Sequence, residues 1–240
     1  MKLAFTELVN EIEARHLAMR GVVLDSTLSL TSGFEHESGN FWVLVGFTGA
    51  RQWPHFMSST EANDGQPNPL DRWSMRLLEE LARRFGADAV SPNDSRLPLQ
   101  RLALAAGNCY PTPLGLLIDH DYGLWHAYRG ALRFNDSHSF YQYAQERTAQ
   151  KSSNNSPCDS CLAKPCLNGC PVGAFDLSGF RVELCLSHLD TPAGQRCLTQ
   201  GCQARKACPK GDSHRYSQAQ QAFHIEAFHR AVSGANYVKK

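Results

Sequence analysis

The sequence predicts a mixed α+β protein, in which a front part of helices and strands is followed by a short cysteine-rich tail. Three observations lead to this prediction. Apolar residues recur at helical spacing in several front segments, Phe41 to Phe47 (FWVLVGF) is a continuous β-prone run, and eight of the nine cysteines lie between Cys158 and Cys208. Helical spacing indicates one apolar face per helix, and a short apolar run is typical of a buried strand.

The first predicted elements are a helix over residues 3–19, which ends near Gly21, and a buried strand over residues 41–47. The apolar face of the helix is formed by Phe5, Leu8, Val9 and Ile12.

A second long helix is predicted to begin at Asn68 and to end at Gly86. Asn68 suits the N-cap, Pro69 suits the first helical position, and a glycine can end the helix. Its apolar face consists of Leu70, Trp73, Leu77, Leu78, Leu81 and Phe85. Beyond it, residues 99–106 are predicted as a helix, and residues 114–118 and 125–134 as two strands joined by a turn at residues 119–123.

A change of composition near residue 150 predicts two domains, residues 1–150 and residues 151–240. Gln145 to Pro157 (QERTAQKSSNNSP) is polar and has no apolar periodicity, so it is predicted to be a linker. In the tail, residues 182–189 are predicted as a helix that presents Cys185, and residues 217–232 as a closing helix. The short cysteine loops cannot build a large apolar core, so ligation would supply much of the folding energy.

The tail cysteines form two runs, and each run ends in Cys-Pro. The first is Cys158-x2-Cys161-x4-Cys166-x3-Cys170-Pro171, and the second is Cys185-x11-Cys197-x4-Cys202-x5-Cys208-Pro209. Eight thiolates are enough for two [4Fe–4S] clusters, and in the two-cluster ferredoxin pattern the cysteine before the proline ligates the other cluster. That rule assigns Cys158, Cys161, Cys166 and Cys208 to one cluster and Cys170, Cys185, Cys197 and Cys202 to the other. Both runs are spaced more widely than the bacterial ferredoxin run.

Zinc and disulfides are the alternative uses of these cysteines. Eight cysteines could hold two zinc ions, but zinc sites usually pair two CxxC motifs, and Cys158–Cys161 is the only one here. The opening sequence MKLAFTELVNEIEARH lacks the apolar run of a signal peptide, and no apolar stretch reaches the ~18 residues of a membrane span. We therefore expect a cytoplasmic protein without a membrane partner, whose thiols stay reduced.

The charge balance argues against a nucleic-acid partner. The net charge is +1, which provides no large basic field for the phosphate backbone.

Part of the front sequence resembles a known family. Asp119 to Leu132 (DHDYGLWHAYRGAL) resembles the signature block of the CblC-type cobalamin-processing proteins, which remove the upper axial ligand of cobalamin. A related block, GLGWIGKNTLLI, occurs in the epoxyqueuosine reductases. Residues 68–80 are similar to the helix that precedes the block in the CblC-type family, and residues 93–107 resemble the intervening segment in both families.

The tail also resembles the epoxyqueuosine reductases. Cys185 to Thr191 (CLSHLDT) is similar to their CISYLT stretch, and Gly201 to Pro209 (GCQARKACP) is similar to their final cysteine block. That block is one residue shorter here, and Arg205 stands where the family has a cysteine. Cys197 would then supply the fourth ligand from upstream.

These resemblances imply a nitroreductase-like front domain joined to a ferredoxin-like tail, in the manner of a cobalamin-dependent reductase. Asp94 corresponds to the catalytic aspartate of the epoxyqueuosine reductases, which would act as a proton donor, although the segment from Asp94 to Pro98 has one more residue than theirs. The alternative is that Asp94 only caps a turn or helix. Arg129 matches the arginine of the signature block and could bind an amide, phosphate or carboxylate; its alternative role is a surface ion pair. The other candidate cofactor-binding residues are His120, Tyr122, Trp125, His126 and Tyr128.

The position of these residues on a strand adds one expectation. Trp125, Ala127 and Arg129 should face one side, and His126 and Tyr128 the other. His120 or His126 could approach cobalt, although a lone histidine is more often structural. Cys109 is expected to be an inert buried thiol.

The function expected from this reasoning is that of an iron–sulfur oxidoreductase. Two [4Fe–4S] clusters would receive electrons from a low-potential donor and pass them to a corrinoid bound by the front domain. Three alternatives stay open: a cobalamin carrier or trafficking protein, a reductase that uses FMN, which this fold often holds, and a plain ferredoxin-type electron carrier.

Overall fold

The computed structural model describes residues 2–25, 40–94, 99–149 and 155–234. The segment after Asp94 (residues 95–98) and the middle of the predicted linker (residues 150–154) lie outside these ranges. Within them, no helix has the length and hydropathy that a membrane span requires.

The protein has mixed helix and sheet structure, as expected. In chain order the elements are α1 (Lys2–Ala14), β1 (Ala18–Leu24), β2 (Phe41–Thr48), α2 (Trp53–Met57), α3 (Thr60–Asn63), α4 (Pro69–Phe85), β3 (Asp88–Val90), α5 (Leu99–Ala106), β4 (Cys109–Pro111), β5 (Leu117–Asp119), β6 (His126–Phe134), α6 (Tyr141–Ala149), α7 (Pro165–Asn168), β7 (Phe175–Asp176), β8 (Gly179–Phe180), α8 (Val182–Leu189), α9 (Gln195–Gln200), α10 (Gln203–Ala207) and α11 (Gln218–Gly234).

The chain divides into two compact units that are not continuous in sequence. The front unit comprises Met1–Cys109 and His126–Asn154, and the tail unit comprises Tyr110–Trp125 and Asn155–Lys240. Residues 110–125 therefore belong with the cysteine-rich tail. The composition change near residue 150 carries no signal for this insertion.

The front unit is built on a four-stranded antiparallel sheet with the order β1-β2-β6-β3. All eight residues of β2 are buried, which confirms the buried strand expected there. Helix α4 buries the predicted apolar face, including Trp73, Leu78 and Leu81. The front core thus follows the periodicity of the sequence.

The ends of the front helices differ in part from prediction. Helix α1 ends at Ala14 rather than near Gly21, because His16 takes a left-handed backbone (φ 60°) and residues 18–24 pair with β2 as a strand. Helix α4 begins at Pro69 and ends at Gly86 (φ 67°) as expected, but Asn68 has a left-handed backbone and its side chain does not cap the helix.

Two connections were also predicted wrongly. Residues 141–149 form α6, so the first part of the predicted linker is helical, with Ala144 buried and the Tyr143 ring 4.5 Å from the ring of Phe5. Strands β5 and β6 are not neighbours: β5 pairs with β4, whereas β6 pairs with β2 and β3. Tertiary contacts, rather than local composition, determine both the helix α6 and the pairing of β5 and β6.

The tail unit consists of short helices and loops. Helix α8 has the predicted bounds, and α11 covers nearly the whole of the predicted closing helix. The buried residues of α11 include Gln220 and Gln221 rather than the alanines of the expected apolar face. A small apolar core, formed by Leu114, Ile118, Leu124 and Ala204, lies among the cysteines.

Candidate metal centres in the cysteine-rich unit

Short helices position most of the tail cysteines. Cys185 lies in the middle of α8, Cys197 lies in α9, and Cys166 lies in α7. Helix α10 lies between Cys202, its N-cap, and Cys208, its C-cap. No disulfide joins any of the nine cysteines, all of which lie in the described residues.

Cys158, Cys161, Cys166 and Cys208 form the first set of interacting thiols, which we call group A. Cys158 interacts electrostatically with Cys208 and Cys166, and Cys161 interacts with Cys166 and Cys208. Three of these residues come from the first run and one from the end of the second.

Cys170, Cys185, Cys197 and Cys202 form the second set, group B. The Cys185 thiol interacts with Cys202, Cys170 and Cys197, and these three also interact with one another. The structure therefore brings Cys197 to the three other cysteines of its expected set. Cys170 thus interacts with thiols of the second run and Cys208 with thiols of the first, while the ligand sets given by the ferredoxin rule stay a prediction.

Burial and mutual repulsion both disfavour thiolates in these groups. Burial raises the pKa of the Cys185 thiol to about 12, and the neighbouring cysteines of group B add to the increase. Burial, followed by Cys208, likewise raises the pKa of Cys166 in group A. Thiolates in these partly buried surroundings would need a cationic centre beside them, and sulfur donors are those that zinc and iron–sulfur clusters take.

Backbone amides lie close to several of these sulfurs. The Ala174 amide donates to Cys170 Sγ at 3.3 Å. The amides of Ala204 and Arg205 lower the pKa of Cys202, and the amide of Lys210 lowers that of Cys208, against the burial that raises both. Such bonds stabilise charge on sulfur and are one of the features that set cluster potentials.

An apolar shell packs against part of both groups, and sequence reasoning missed it. Leu114, Ile118 and Leu124 come from the inserted segment 110–125, and Ala204 comes from α10. Packed against them are Cys158, Cys166, Cys170, Cys202 and Cys208. The shell lowers the local polarity at the sulfurs. The spacing of apolar residues in segment 110–125 is the only sequence signal for this shell.

The second half of that segment contains three of the expected cofactor-binding residues. His120 is exposed, the Tyr122 ring lies 4.7 Å from the ring of His214, and Trp125 is fully buried against Tyr216. These three residues belong to the tail unit, whereas the sequence placed them in the front domain. Trp125 also precedes β6, so the prediction that it alternates along one strand with Arg129 was wrong.

The front unit contains the other three expected residues, His126, Tyr128 and Arg129. Arg129 is the extra residue of a bulge in β6, because Gly46 pairs with Tyr128 while Val45 pairs with Gly130. A bulge changes the direction of a side chain. The guanidinium of Arg129 forms an ion pair with Asp71, and its Nε donates to Ser74 Oγ at 3.1 Å. The Arg129 side chain is only 12% exposed, so the pair is half-buried rather than superficial.

His126 and Tyr128 lie next to one another and near a buried cysteine. His126 is buried, and its ring meets that of Tyr128 edge-on at 5.6 Å. The Tyr128 hydroxyl donates to Cys109 Sγ at 3.4 Å, and the guanidinium of Arg20 lies 5.6 Å from the Tyr128 ring centroid. Cys109 is buried, in keeping with its expected position in the core.

Asp94, the expected proton donor, lies at a turn. Its backbone amide donates to the Ser91 carbonyl at 3.2 Å. Asp94 thus lies at the end of a turn over residues 91–94, and the residues after it lie outside the described ranges.

Searches for known metal sites and for related proteins add no assignment. In the part of the chain that the structure describes, no group of three or more His, Cys, Asp or Glu side chains is arranged to hold a metal ion. No protein-family model matches the chain, and no curated protein matches it significantly. The two cysteine groups therefore rest on the spacing rule and on the interactions among the thiols.

Proposed function

We propose that the tail unit binds two [4Fe–4S] clusters, one on the group A cysteines and one on the group B cysteines. The observation that carries the proposal is the exchange between the two runs: Cys170 lies with cysteines of the second run, and Cys208 lies with cysteines of the first. This exchange is the pattern of two-cluster ferredoxins. A pair of independent zinc ribbons would take its ligands from two CxxC motifs.

When bound, such clusters transfer single electrons at low potential. The residues of the tail unit would set the conditions for that transfer. Leu114, Ile118 and Leu124 belong to the apolar core that packs against five of the cysteines, and the Ala174 amide donates to Cys170. The protein would act in the cytoplasm, where thiols remain reduced and a low-potential electron donor can reach it.

Metal analysis of the protein purified and reconstituted without oxygen tests this proposal. We expect about eight iron atoms and eight sulfides per chain, with EPR signals of reduced [4Fe–4S] clusters. Cys109→Ser is the matched control, because Cys109 is a buried cysteine of the front unit, and it should keep the full iron content. Stoichiometric zinc without iron, in protein grown with both metals, would contradict the proposal.

We further propose that the clusters deliver electrons to a corrinoid bound by the front unit. This step is supported by the resemblance of residues 119–132 to the CblC-type signature block. Tyr128 and Arg129, which belong to that block, are partly exposed residues of the front unit. The planar guanidinium of Arg129 suits an amide or phosphate of the cofactor. The reaction itself would be reductive chemistry on a substrate or on the corrinoid.

Anaerobic titration with cob(II)alamin, followed by EPR, tests corrinoid binding. We expect a cobalt spectrum that differs from that of free cobalamin in the wild type and returns to the free form in Arg129→Ala. Arg133→Ala, on the same strand and paired with Asp88, is the control and should keep the shifted spectrum. A free-cobalamin spectrum beside normal cluster signals would contradict it. FMN released on heating would then favour the flavin alternative, and its absence the electron carrier.

A further inference from the structure

The guanidinium of Arg205 is clamped between two aromatic rings in the tail unit. Its Cζ atom lies 4.8 Å from the ring centroid of Trp125 and 4.7 Å from that of Tyr216. Its Nη2 donates to the Leu124 carbonyl. Trp125 and Tyr216 are both buried, and their ring centroids lie 5.4 Å apart. A guanidinium held by two rings and a carbonyl carries its charge at a fixed place.

This fixed charge lies beside group B. Arg205 is the third residue of α10, and Cys202 is the N-cap of that helix. Both the backbone amide and the side-chain charge of Arg205 lower the pKa of the Cys202 thiol, against the burial that raises it. Leu124, whose carbonyl accepts from the guanidinium, belongs to the apolar core that packs against Cys202.

No carboxylate in the described part of the chain forms an ion pair with Arg205. The neighbouring Arg215 differs in this respect: its Cζ lies 5.5 Å from the Trp125 centroid, but it is paired with Asp212. The charge of Arg205 is therefore available to the sulfurs.

Group A has a cation of another kind. Lys164 Nζ donates to the Cys158 carbonyl at 3.1 Å. An ammonium on a flexible stem is strongly hydrated, so its charge is screened more than that of a clamped guanidinium. The two cysteine groups thus differ in the electrostatic surroundings that the chain provides.

We propose that Arg205 raises the reduction potential of the cluster held by group B; this inference rests on the proposed function above. Reduction adds one electron and hence one negative charge to the group B centre, and a fixed cation beside Cys202 stabilises that charge. The electron comes from a low-potential one-electron donor, which is oxidised by one electron, and no bond is broken. An electron delivered to the tail unit then resides preferentially on group B.

A redox titration of the reconstituted full chain, followed by EPR with dithionite as the reductant, tests this inference. Arg205→Gln should lower the midpoint potential of one centre, with a tenfold change in its ratio of reduced to oxidised form for a shift of about 59 mV. The affected centre should be the one whose signal is lost in Cys185→Ser. Lys164→Gln should leave that midpoint unchanged, and so should Arg215→Gln, whose charge is already neutralised.

The outcomes separate the inference from the proposed function. Wild-type protein without any cluster signal would overturn both. Two normal signals with midpoints that do not respond to Arg205→Gln, or that shift equally, would overturn the inference alone. If Arg205→Gln does not retain iron, Arg205→Lys decides, because it keeps the charge but not the planar fork. Its group B midpoint should fall by less than in Arg205→Gln, because the ammonium keeps the charge but is screened more than the clamped guanidinium, and an equal fall of the group A midpoint would contradict the inference.

Discussion

The backbones of Gly123 and Gly211 lie against each other in the tail unit. A Cβ atom on Gly211 would come within 2.6 Å of the Gly123 nitrogen, and one on Gly123 within 3.0 Å of the Gly211 nitrogen. Both residues have left-handed backbones, with φ of 58° and 72°. This contact fixes the turn of segment 110–125 to the loop that follows Cys208, and so makes that segment part of the cysteine-rich unit.

Gly123→Ala should destabilise the tail unit more than its backbone strain alone requires. We expect a loss of about 2–4 kcal/mol in the free energy of unfolding, from the left-handed conformation together with the clash against Lys210 and Gly211. Gly115→Ala is the matched control, because Gly115 has φ of 69° and open space around its Cβ position. Urea unfolding of both variants measures the difference, and equal losses would show that the packing contact is unimportant.

Leu124→Ala should open a cavity beside both cysteine groups. Leu124 is 3% exposed and belongs to the core that contacts five of the eight cysteines. We therefore expect the variant to lose about 2–5 kcal/mol of its free energy of unfolding. The variant should also lose iron faster in air, because water reaches the sulfurs. Leu116→Ala, from the exposed part of the same segment, should change both quantities little. Unchanged iron retention in Leu124→Ala would contradict a protective shell.

The ion pair between Arg129 and Asp71 should contribute to the stability of the front unit. We expect Asp71→Asn to lower the free energy of unfolding by about 1–2 kcal/mol, a value between those of exposed and buried ion pairs. The pair is intermediate because the Arg129 side chain is 12% exposed and that of Asp71 is 34% exposed. A double-mutant cycle with Arg129→Gln measures the coupling. The exposed pair of Arg133 and Asp88 serves as the control and should show weaker coupling. Equal coupling in the two cycles would rule out a special role for the half-buried pair.

Glu61 should make the front unit less stable in acid. The hydrogen bond from Arg76 is the main cause that lowers the pKa of this buried carboxylate below 4.5. Because the folded pKa lies below the unfolded one, its contribution is present above about pH 4.5 and is lost as the pH falls through the folded pKa.

Unfolding of Glu61→Gln beside wild type, from pH 7 to about pH 3, checks this sign. The wild type should be more stable by about 1 kcal/mol at neutral pH, and the difference should shrink in acid. Glu80→Gln removes a more exposed carboxylate that also faces Arg76, and should change stability less. A difference that grows as the pH falls would contradict the account.

Strong periodicity made much of the front unit predictable from the sequence. The buried face of α4 and the buried strand β2 lie where their apolar residues indicate. The end of α1 was not predictable, because it depends on the left-handed backbone of His16 and on the pairing of residues 18–24 with β2. Helix α6 was missed because the burial of Ala144 is a tertiary contact that a polar sequence does not reveal.

The cysteine grouping follows from a rule about Cys-Pro, and the interactions among the thiols agree with it, but it stays a prediction. The surroundings of the cysteines could not be predicted from the sequence. The packing of Gly123 against Lys210, and of Arg205 between Trp125 and Tyr216, joins residues far apart in sequence. Because the sequence does not reveal those contacts, the aromatic residues of segment 110–125 were predicted to lie in the front domain.

The exchange of Cys170 and Cys208 between the two groups is tested most directly by serine variants with EPR and iron analysis. We predict that Cys170→Ser removes the same cluster signal as Cys185→Ser, and that Cys208→Ser removes the same signal as Cys161→Ser. Each variant should lose about half of the iron. The account is contradicted if Cys170→Ser instead removes the signal that Cys161→Ser removes, or if neither variant changes the iron content.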